Sequence, residues 1–333
     1  MLAGAACTTE TINRVPAAGE AAAVPPDPAV QTPDGTPRGP WTESALPSDV
    51  RSISCPNDAE PHVATAAGLF RYDGAAWKLV APGDFSSVHL ADPTNGFAVG
   101  DGVMVQRVGE SWSTVDVIKS WKLHSVYTQS DGAWVAGDGF KLGTTNDLLG
   151  EPRVIFVGRI DLKMPQDHMF GDRSHTVGSA SVVTGGGPWV TTNGPHLLAQ
   201  WDGAKWRDVG GFSGLSDRRS VVVVGSSFYV TDGKDIPAVN LGSPQFQQEA
   251  YGGAGSNVLT DSPSTIRLLV ATPKKSFVAL GDDGFLWQHY AETGKSRTLD
   301  PPASVSLSAG CSTLDGHLWV SSGKRVFHRN DVL

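Results

Sequence analysis

The chain has 333 residues, with 26 Lys plus Arg against 34 Asp plus Glu, a formal net charge of −8 and no basic run, which argues against nucleic acid as a partner. No stretch approaches the ~18 consecutive apolar residues that a spanning helix needs, so contact with a membrane is expected only through an anchor. Thirty-nine Gly, 22 Pro and 10 Trp with only 18% charged residues fit many short strands joined by tight turns. The expected fold class is all-β.

The chain opens Met1-Leu2-Ala3-Gly4-Ala5-Ala6-Cys7, which resembles the last part of a bacterial lipoprotein signal. The match is partial: the basic start and the apolar run of ~7–15 residues are missing, and Gly4 stands where Leu is preferred. The resemblance implies lipidation of Cys7, and Thr8 after it implies sorting to the outer membrane; the competing reading is an ordinary N-terminus with a chance cysteine. From residue 8 to residue 40 the chain is rich in Ala, Pro, Thr and Gly and has no aromatic residue. Such a segment buries too little apolar surface to offset its ordering entropy and is expected to be a semi-extended tether.

From Pro40 onward one pattern recurs: an apolar strand, a turn, a strand with a central aromatic, a Gly-containing turn, a third strand, and often a fourth that starts at Trp. The first unit is expected at 50–55, 62–65, 69–72 and 77–80, and the second at 87–90, 96–100, 104–107 and 112–115. The third shows 123–127 and 133–137, with an outer half that is less clear around 140–142 and 153–157. The fourth shows 181–183 and 188–191 and then Trp201-Asp202-Gly203-Ala204-Lys205-Trp206, a near copy of Tyr72-Asp73-Gly74-Ala75-Ala76-Trp77. In both copies Asp-Gly is expected to supply a two-residue hairpin turn with aromatics paired across it, so the motif is the turn and start of a fourth strand. The fifth unit shows 220–224 and 228–232, the sixth 267–270, 277–281 and 285–289, and the seventh 305–308, 317–321 and 325–328.

The second-strand anchors Val63, Phe97, Trp134, Trp189, Tyr229, Phe277 and Trp319 recur at the spacing of one four-stranded blade with its loops. The expected architecture is a single seven-bladed β-propeller of four-stranded blades over residues 41–333. A pair of β-sandwiches is the alternative. The phrases Phe97-Ala98-Val99-Gly100-Asp101-Gly102, Trp134-Val135-Ala136-Gly137-Asp138-Gly139 and Trp201–Trp206 resemble repeats of secreted bacterial propellers, common in lipoproteins of myxobacteria and related organisms. That resemblance implies a fold rather than a chemistry.

The segment 40–46 begins with Trp41 after Pro40, as fourth strands of other units do, and is expected to supply the outer strand of the seventh blade and so remove its open edge. Cys55 and Cys311 fall in neighbouring blades at similar height, where a disulfide would staple the seam; two buried free thiols are the other reading.

For chemistry the sequence offers little. Asp-Gly pairs at Asp73, Asp101, Asp131, Asp138, Asp202, Asp232, Asp283 and Asp315 read as turn residues, since no calcium-loop spacing occurs, and no metal or cofactor is expected. The sialidase-type Ser-x-Asp-x-Gly-x-x-Trp, Gly-x-Ser-x-Gly and zinc-type His spacings are absent. The longest interruption, 158–176, is expected to be an insertion between blades, and Met164, His168, Met169, Phe170 and Arg173 are its candidate binding residues. A contact loop for a partner, a cover over a blade edge, and a soft copper site of Met164, His168 and Met169 are the options. A second irregular stretch, 240–264, reads as a mobile connection. The expected function is non-catalytic binding of a protein or glycan of the cell envelope through one loop face. A carbohydrate-active enzyme, glycosidase or lyase, with carboxylates at the channel mouth, and an accessory subunit of a large envelope assembly are the alternatives.

Overall fold

In a computed structural model the chain divides into two units, Met1–Arg38 and Gly39–Leu333. The described residues are 41–56, 60–115, 122–129, 132–139, 154–161, 164–170, 181–183, 189–191, 198–201, 206–208, 220–225, 227–231, 233–240 and 257–330. For 129, 136–139, 239, 240 and the segments between 154 and 208, the backbone alone is described. The signal-like start and the tether lie outside them.

The described strands form seven four-stranded antiparallel sheets. Strand β1 (Thr42–Ala45) is followed by the first sheet, β2 (Val50–Ser54), β3 (His62–Thr65), β4 (Gly68–Tyr72) and β5 (Trp77–Ala81). The second comprises β6 (Phe85–Asp92), β7 (Asn95–Gly100), β8 (Val103–Val108) and β9 (Ser111–Thr114). The third has β10 (Lys122–Gln129), β11 (Gly132–Gly139), β12 (Val154–Asp161) and β13 (Met164–Phe170), and the fourth β14 (Ser181–Val183), β15 (Trp189–Thr191), β16 (Leu198–Trp201) and β17 (Trp206–Asp208). In the fifth are β18 (Ser220–Val224), β19 (Ser227–Thr231), β20 (Ile236–Asn240) and β21 (Asn257–Leu259). The sixth holds β22 (Ile266–Thr272), β23 (Ser276–Gly281), β24 (Leu286–Tyr290) and β25 (Lys295–Thr298). The seventh is β26 (Ala309–Ser312), β27 (Leu318–Ser322) and β28 (Arg325–Arg329), with β1 as its outer strand, Thr42 opposite His328 and Ala45 opposite Arg325.

Among the described residues the core lies between sheets, which present apolar faces to their neighbours. Ala64 and Leu69 of the first sheet pack with Val88, Leu90 and Ala98 of the second. Phe97 and Val99 of the second pack with Leu123, Val126 and Val135 of the third, and Val278 and Leu280 of the sixth with Leu318, Val320 and Phe327 of the seventh. Ile53, Val63 and Phe70 of the first sheet pack with Trp319 and Val326 of the seventh. Second strands are covered on both faces, so β3 and β23 are buried at every residue, without the alternation of a half-exposed strand. The anchors Val63, Phe97, Trp134, Tyr229, Phe277 and Trp319 are all buried.

The first strands gather together: β2 adjoins β6, β6 adjoins β10, and the series continues through β14, β18 and β22 to β26, which also adjoins β2. A first strand has a sheet partner on one side only, so the N–H groups of its other edge need acceptors. Serine supplies them from the preceding sheet. Ser52 Oγ accepts the Val88 N–H at 3.3 Å and Ser54 Oγ that of Leu90 at 2.9 Å. Ser87 Oγ accepts from Val126 at 3.3 Å and Ser220 Oγ from Leu269 at 3.0 Å. At the position equivalent to Ser54 the second sheet carries His89, whose Nδ1 accepts the Thr128 N–H at 3.0 Å. Partners rise together along both strands of each pair, so β2, β6 and β10 run in the same direction and begin at the same end of the molecule.

Several expectations need correction. The first strand of the seventh sheet is Ala309–Ser312 rather than 305–308: Leu307 donates its N–H to Gly281 O and is buried as the chain approaches the sheet. The 158–176 stretch is not an interruption over 158–161 and 164–170, where it forms β12 and β13, paired from Ile155–Phe170 to Asp161–Met164. Asp138-Gly139 lies inside β11 opposite Ile155 and Val154, where no turn is required of it. The Tyr72–Trp77 loop has four residues rather than two. Asp73 Oδ1 accepts the N–H groups of Ala75 and Ala76, and only Gly74 takes a positive φ, +94°. The aromatic pairing holds, with Tyr72 and Trp77 rings 5.2 Å apart, and Trp201 stands opposite Trp206 in the fourth sheet.

Candidate functional site

A period-2 strand keeps its apolar residues two apart. Four first strands break that rule near their start, as Val50-Arg51-Ser52-Ile53, Phe85-Ser86-Ser87-Val88, Leu123-His124-Ser125-Val126 and Ile266-Arg267-Leu268-Leu269, where two residues separate a buried apolar residue from the next inward position. The register shifts at each: between Val50 and Ser52, Phe85 and Ser87, Leu123 and Ser125, and Ile266 and Leu268. The extra residue of each bulge is Arg51, Ser86, His124 or Arg267. A bulge re-aims the residue it adds, and these four fall at one equivalent position, at the near end where the first strands begin.

The near end is also where second strands finish, and there a glycine recurs. Gly100 pairs with Phe85 and Gly281 with Ile266, the first residues of their first strands. A Cβ on Gly281 would lie 2.5 Å from the Thr265 carbonyl oxygen, and one on Gly100 would overlap the Asp84 carbonyl, because the incoming backbone crosses directly over the site. The Gly-Asp phrases of the sequence therefore have a steric cause at their glycine. Gly100→Ala is expected to cost about 2–3 kcal/mol through forced backbone displacement. The urea midpoint of Gly100→Ala against that of the wild type checks this; equal midpoints for the two would show that no carbonyl crosses Gly100.

The aspartate after that glycine, or the one before the next first strand, meets a basic residue. Arg51 pairs with Asp84 and its Nη1 also donates to Phe85 O at 3.3 Å. Lys122 Nζ lies 3.6 Å from Asp101, and Arg267 Nε donates to Asp282 Oδ1 at 2.5 Å. Asp282 is further fixed by the Thr265 carbonyl accepting its N–H, and Arg267 first, then Ser306, holds its carboxyl below the usual range. Each arginine commits one guanidinium nitrogen to its aspartate, and the Arg51 and Arg267 side chains remain 40% and 44% exposed. The near end is thus a polar rim with basic residues on the first strands and acids one step outside them.

The far end is structural and histidine-rich. Cys55, just past β2, is disulfide-bonded to Cys311 of β26, with Cα atoms 5.7 Å apart. Beside it Tyr72, Trp77 and Trp319 form a cluster, the Trp319 ring stacks on His328 at 3.8 Å, and Trp77 Nε1 donates to Ser44 of β1 at 2.9 Å. His328 Nε2 and His317 Nδ1 are 3.0 Å apart, and His317 Nε2 lies 3.3 Å from Asp315. Burial first, and the His317 charge second, push His328 down to about 4. His62 donates through Nδ1 to Glu60 O and accepts at Nε2 from buried Arg107 of the second sheet at 3.0 Å. Burial and the Arg107 charge hold His62 at about 3, and burial holds His89 at about 4.

Of the residues singled out in the sequence, Met164, His168, Met169 and Phe170 lie along β13, the outer strand of the third sheet, where Phe156 faces Met169 and Val157 faces His168. Arg173 lies outside the described residues. The rim residues Arg51, Ser86, His124 and Arg267 were legible only as the extra residue after the first buried apolar position of each of these first strands. Among the described residues no group of three or more His, Cys, Asp or Glu is placed to hold a metal ion.

No family model matches the chain, and no curated protein matches it in sequence. Solved structures do resemble it. A streptogramin B lyase superposes at TM-score 0.65 and 9% identity, covering 87% of this chain and 97% of that one. The WD40 β-propeller domain of Doa1 follows at 0.62 and 16%, covering 88% and 97%. The extracellular domain of a B. thetaiotaomicron protein described as a one component system gives 0.63 and 12%, covering 87% of this chain and 40% of that one. At such identities the likeness speaks of fold alone, and it places this chain's fold among the β-propellers.

Proposed function

We propose that this is an exported, seven-bladed propeller, closed by β1, that binds a protein or glycan of the bacterial envelope at its near end. The observation that carries the binding site is the stack of bulges that sets Arg51, Ser86, His124 and Arg267 at one position of four first strands. Ring closure is supported by the seven sheets, by β26 adjoining β2, and by the pairing of β1 with β28. Export is supported by the Cys55–Cys311 bridge, which persists in oxidising compartments. Among the described residues no helix is long and apolar enough to cross a membrane; in this reading a lipid on Cys7 holds the protein to the outer membrane. Binding is favoured over catalysis because three aspartates of the rim, Asp84, Asp101 and Asp282, are each engaged by a cation. The β13 strand with Met164, His168, Met169 and Phe170, and Arg173 beyond it, is a second and outer contact surface.

Two measurements test this. Cys7→Ser is expected to move the protein from the membrane fraction to the soluble one, and an unchanged distribution would remove the anchor. In-cell crosslinking of the native protein should yield a partner that Arg51→Glu with Arg267→Glu reduces at least tenfold. Equal yields from this double variant and the wild type would place the contact elsewhere.

A further inference from the structure

We infer that His317 and His328, at the far end and apart from the rim, form a site for one exchangeable Cu2+ ion, with Asp315 as the carboxylate behind it. Strand alternation lays the site out. His317 directly precedes β27 and stands two residues before Trp319, so the two side chains fall on one face of the sheet. Trp319 is opposite His328 of β28, which brings the second imidazole to that face. The turn from Thr313 to His317 then fixes the carboxylate, because the Thr313 hydroxyl accepts the His317 N–H at 3.0 Å and donates to Asp315 Oδ1. As a result Asp315 Oδ2 lies 3.3 Å from His317 Nε2, and His317 Nδ1 lies 3.0 Å from His328 Nε2.

Metal-bound histidines almost always donate the other ring N–H to a carboxylate, carbonyl or water, which sets the tautomer. Asp315 does this for His317, so His317 Nδ1 carries the lone pair and His328 Nε2 donates to it. On binding, the His328 proton moves to Nδ1, Nε2 becomes the second ligand, and the ion gives up two waters; no proton is released and no redox step is needed. At metal–nitrogen bonds of about 2.0 Å, nitrogens 3.0 Å apart subtend about 95° at the ion, the angle of a tetragonal site rather than a tetrahedral one. Cu2+ prefers that geometry and also heads the affinity order of the divalent metals. The His328 ring is held by stacking on Trp319 at 3.8 Å, whereas His317 is 28% exposed. One ligand is therefore preorganised, and the other faces the solvent from which the ion comes. Water fills the remaining positions, so a third protein ligand is not required. His62, His89 and His289 turn a bonding nitrogen to Arg107, Thr128 and Ser296 rather than to a second imidazole.

The test is a titration of the full chain with Cu2+ in glycine buffer, which holds the free ion low. The chain carries Cys7→Ser, removing the one cysteine outside the Cys55–Cys311 bridge. Electron paramagnetic resonance of the complex at one equivalent should show two coordinated imidazole nitrogens. His317→Gln and His328→Gln should each weaken binding at least tenfold and remove one imidazole from the spectrum. Asp315→Asn should weaken it about tenfold with both imidazoles still bound, the pattern of a carboxylate acting through His317 and one that misfolding cannot imitate. His196→Gln should change nothing, and Zn2+ should bind at least tenfold more weakly than Cu2+. Undiminished affinity in His317→Gln overturns the proposal, since the copper would then sit elsewhere on the chain. A single imidazole in the wild-type spectrum, or tighter binding of Zn2+ than of Cu2+, overturns it as well.

Discussion

Reducing the Cys55–Cys311 bridge is expected to lower the stability of the fold by about 5 kcal/mol, the value the chain-entropy model gives for closing a loop of 256 residues. The bridge joins the first sheet to the seventh by their first strands, whereas the main chain crosses that seam at the outer side, from β1 of the seventh sheet to β2 of the first. Its neighbours are apolar and aromatic: Ile53, Val63 and Phe70 on one side, Trp319 and Val326 on the other. These contacts persist after reduction, so the reduced protein should still fold, but its seam can open without unfolding the remainder. Thermal unfolding of the wild type and of Cys55→Ser with Cys311→Ser should differ on the order of 10 °C, and a reductant should shift only the former. Coincident transitions would show that the seam is held by packing and by β1 alone.

Acid should destabilise the protein well before its carboxylates titrate. His62 and His89 are buried acceptors at two consecutive seams: Arg107 donates to His62 across the first and second sheets, and Thr128 donates to His89 across the second and third. A proton on either ring would set two donors face to face. Around His62 stand Arg107, Arg71, Glu60 and Glu110, and burial first, then the Arg107 charge, lowers its pKa; beside His89 are Tyr127 and Thr128. The folded-state values, about 3 and about 4, lie below the unfolded value of 6.5. Above pH 6.5 both states are neutral and these histidines add no pH dependence. As the pH falls through 6.5 the unfolded chain takes up protons that the folded chain refuses, and stability is lost until the folded values are reached. At about 1.4 kcal/mol per unit, His89 alone accounts for on the order of 3 kcal/mol by pH 4. Unfolding free energies at pH 6.5, 5.5 and 5.0 should fall by about 1 kcal/mol per histidine per unit. His89→Ser, which installs the residue found at the equivalent position 54, should remove one histidine's share of that slope whatever its own stability. A slope unchanged by His89→Ser would mean that His89 is protonated in the fold.

The repeat was legible because the second strand is buried on both faces. Val63, Phe97, Trp134, Tyr229, Phe277 and Trp319 had to be apolar, and a large side chain at fixed spacing is visible against a background of serines and glycines. Positions set by what a neighbouring sheet does were harder to read. Ser52, Ser54 and Ser87 look like ordinary exposed strand serines, and only the adjoining strand reveals them as acceptors for backbone groups 36 to 39 residues away. The rim escaped for a related reason: an extra residue in Val50-Arg51-Ser52-Ile53 looks like imperfect alternation until the register with β3 makes it a bulge. The outer hairpin of the third sheet was read as an insertion because Met164-Pro165-Gln166-Asp167-His168-Met169 has neither β-branched residues nor period-2 alternation. Backbone pairing with β12 gives it strand structure that its side chains do not advertise.

The serine acceptors also bear on how such a chain could change length. Cross-sheet partners are 36 residues apart between the first and second sheets, 39 between the second and third, and 49 between the fifth and sixth, yet the same kind of bond is made each time. The first strands keep the molecule in phase, and the material between them extends outward, where it need satisfy only its own hairpin. Added sequence in an outer half therefore lengthens one sheet and leaves the row of first strands alone. New surface can be acquired there, in a lineage or at the bench, without retuning the near-end rim.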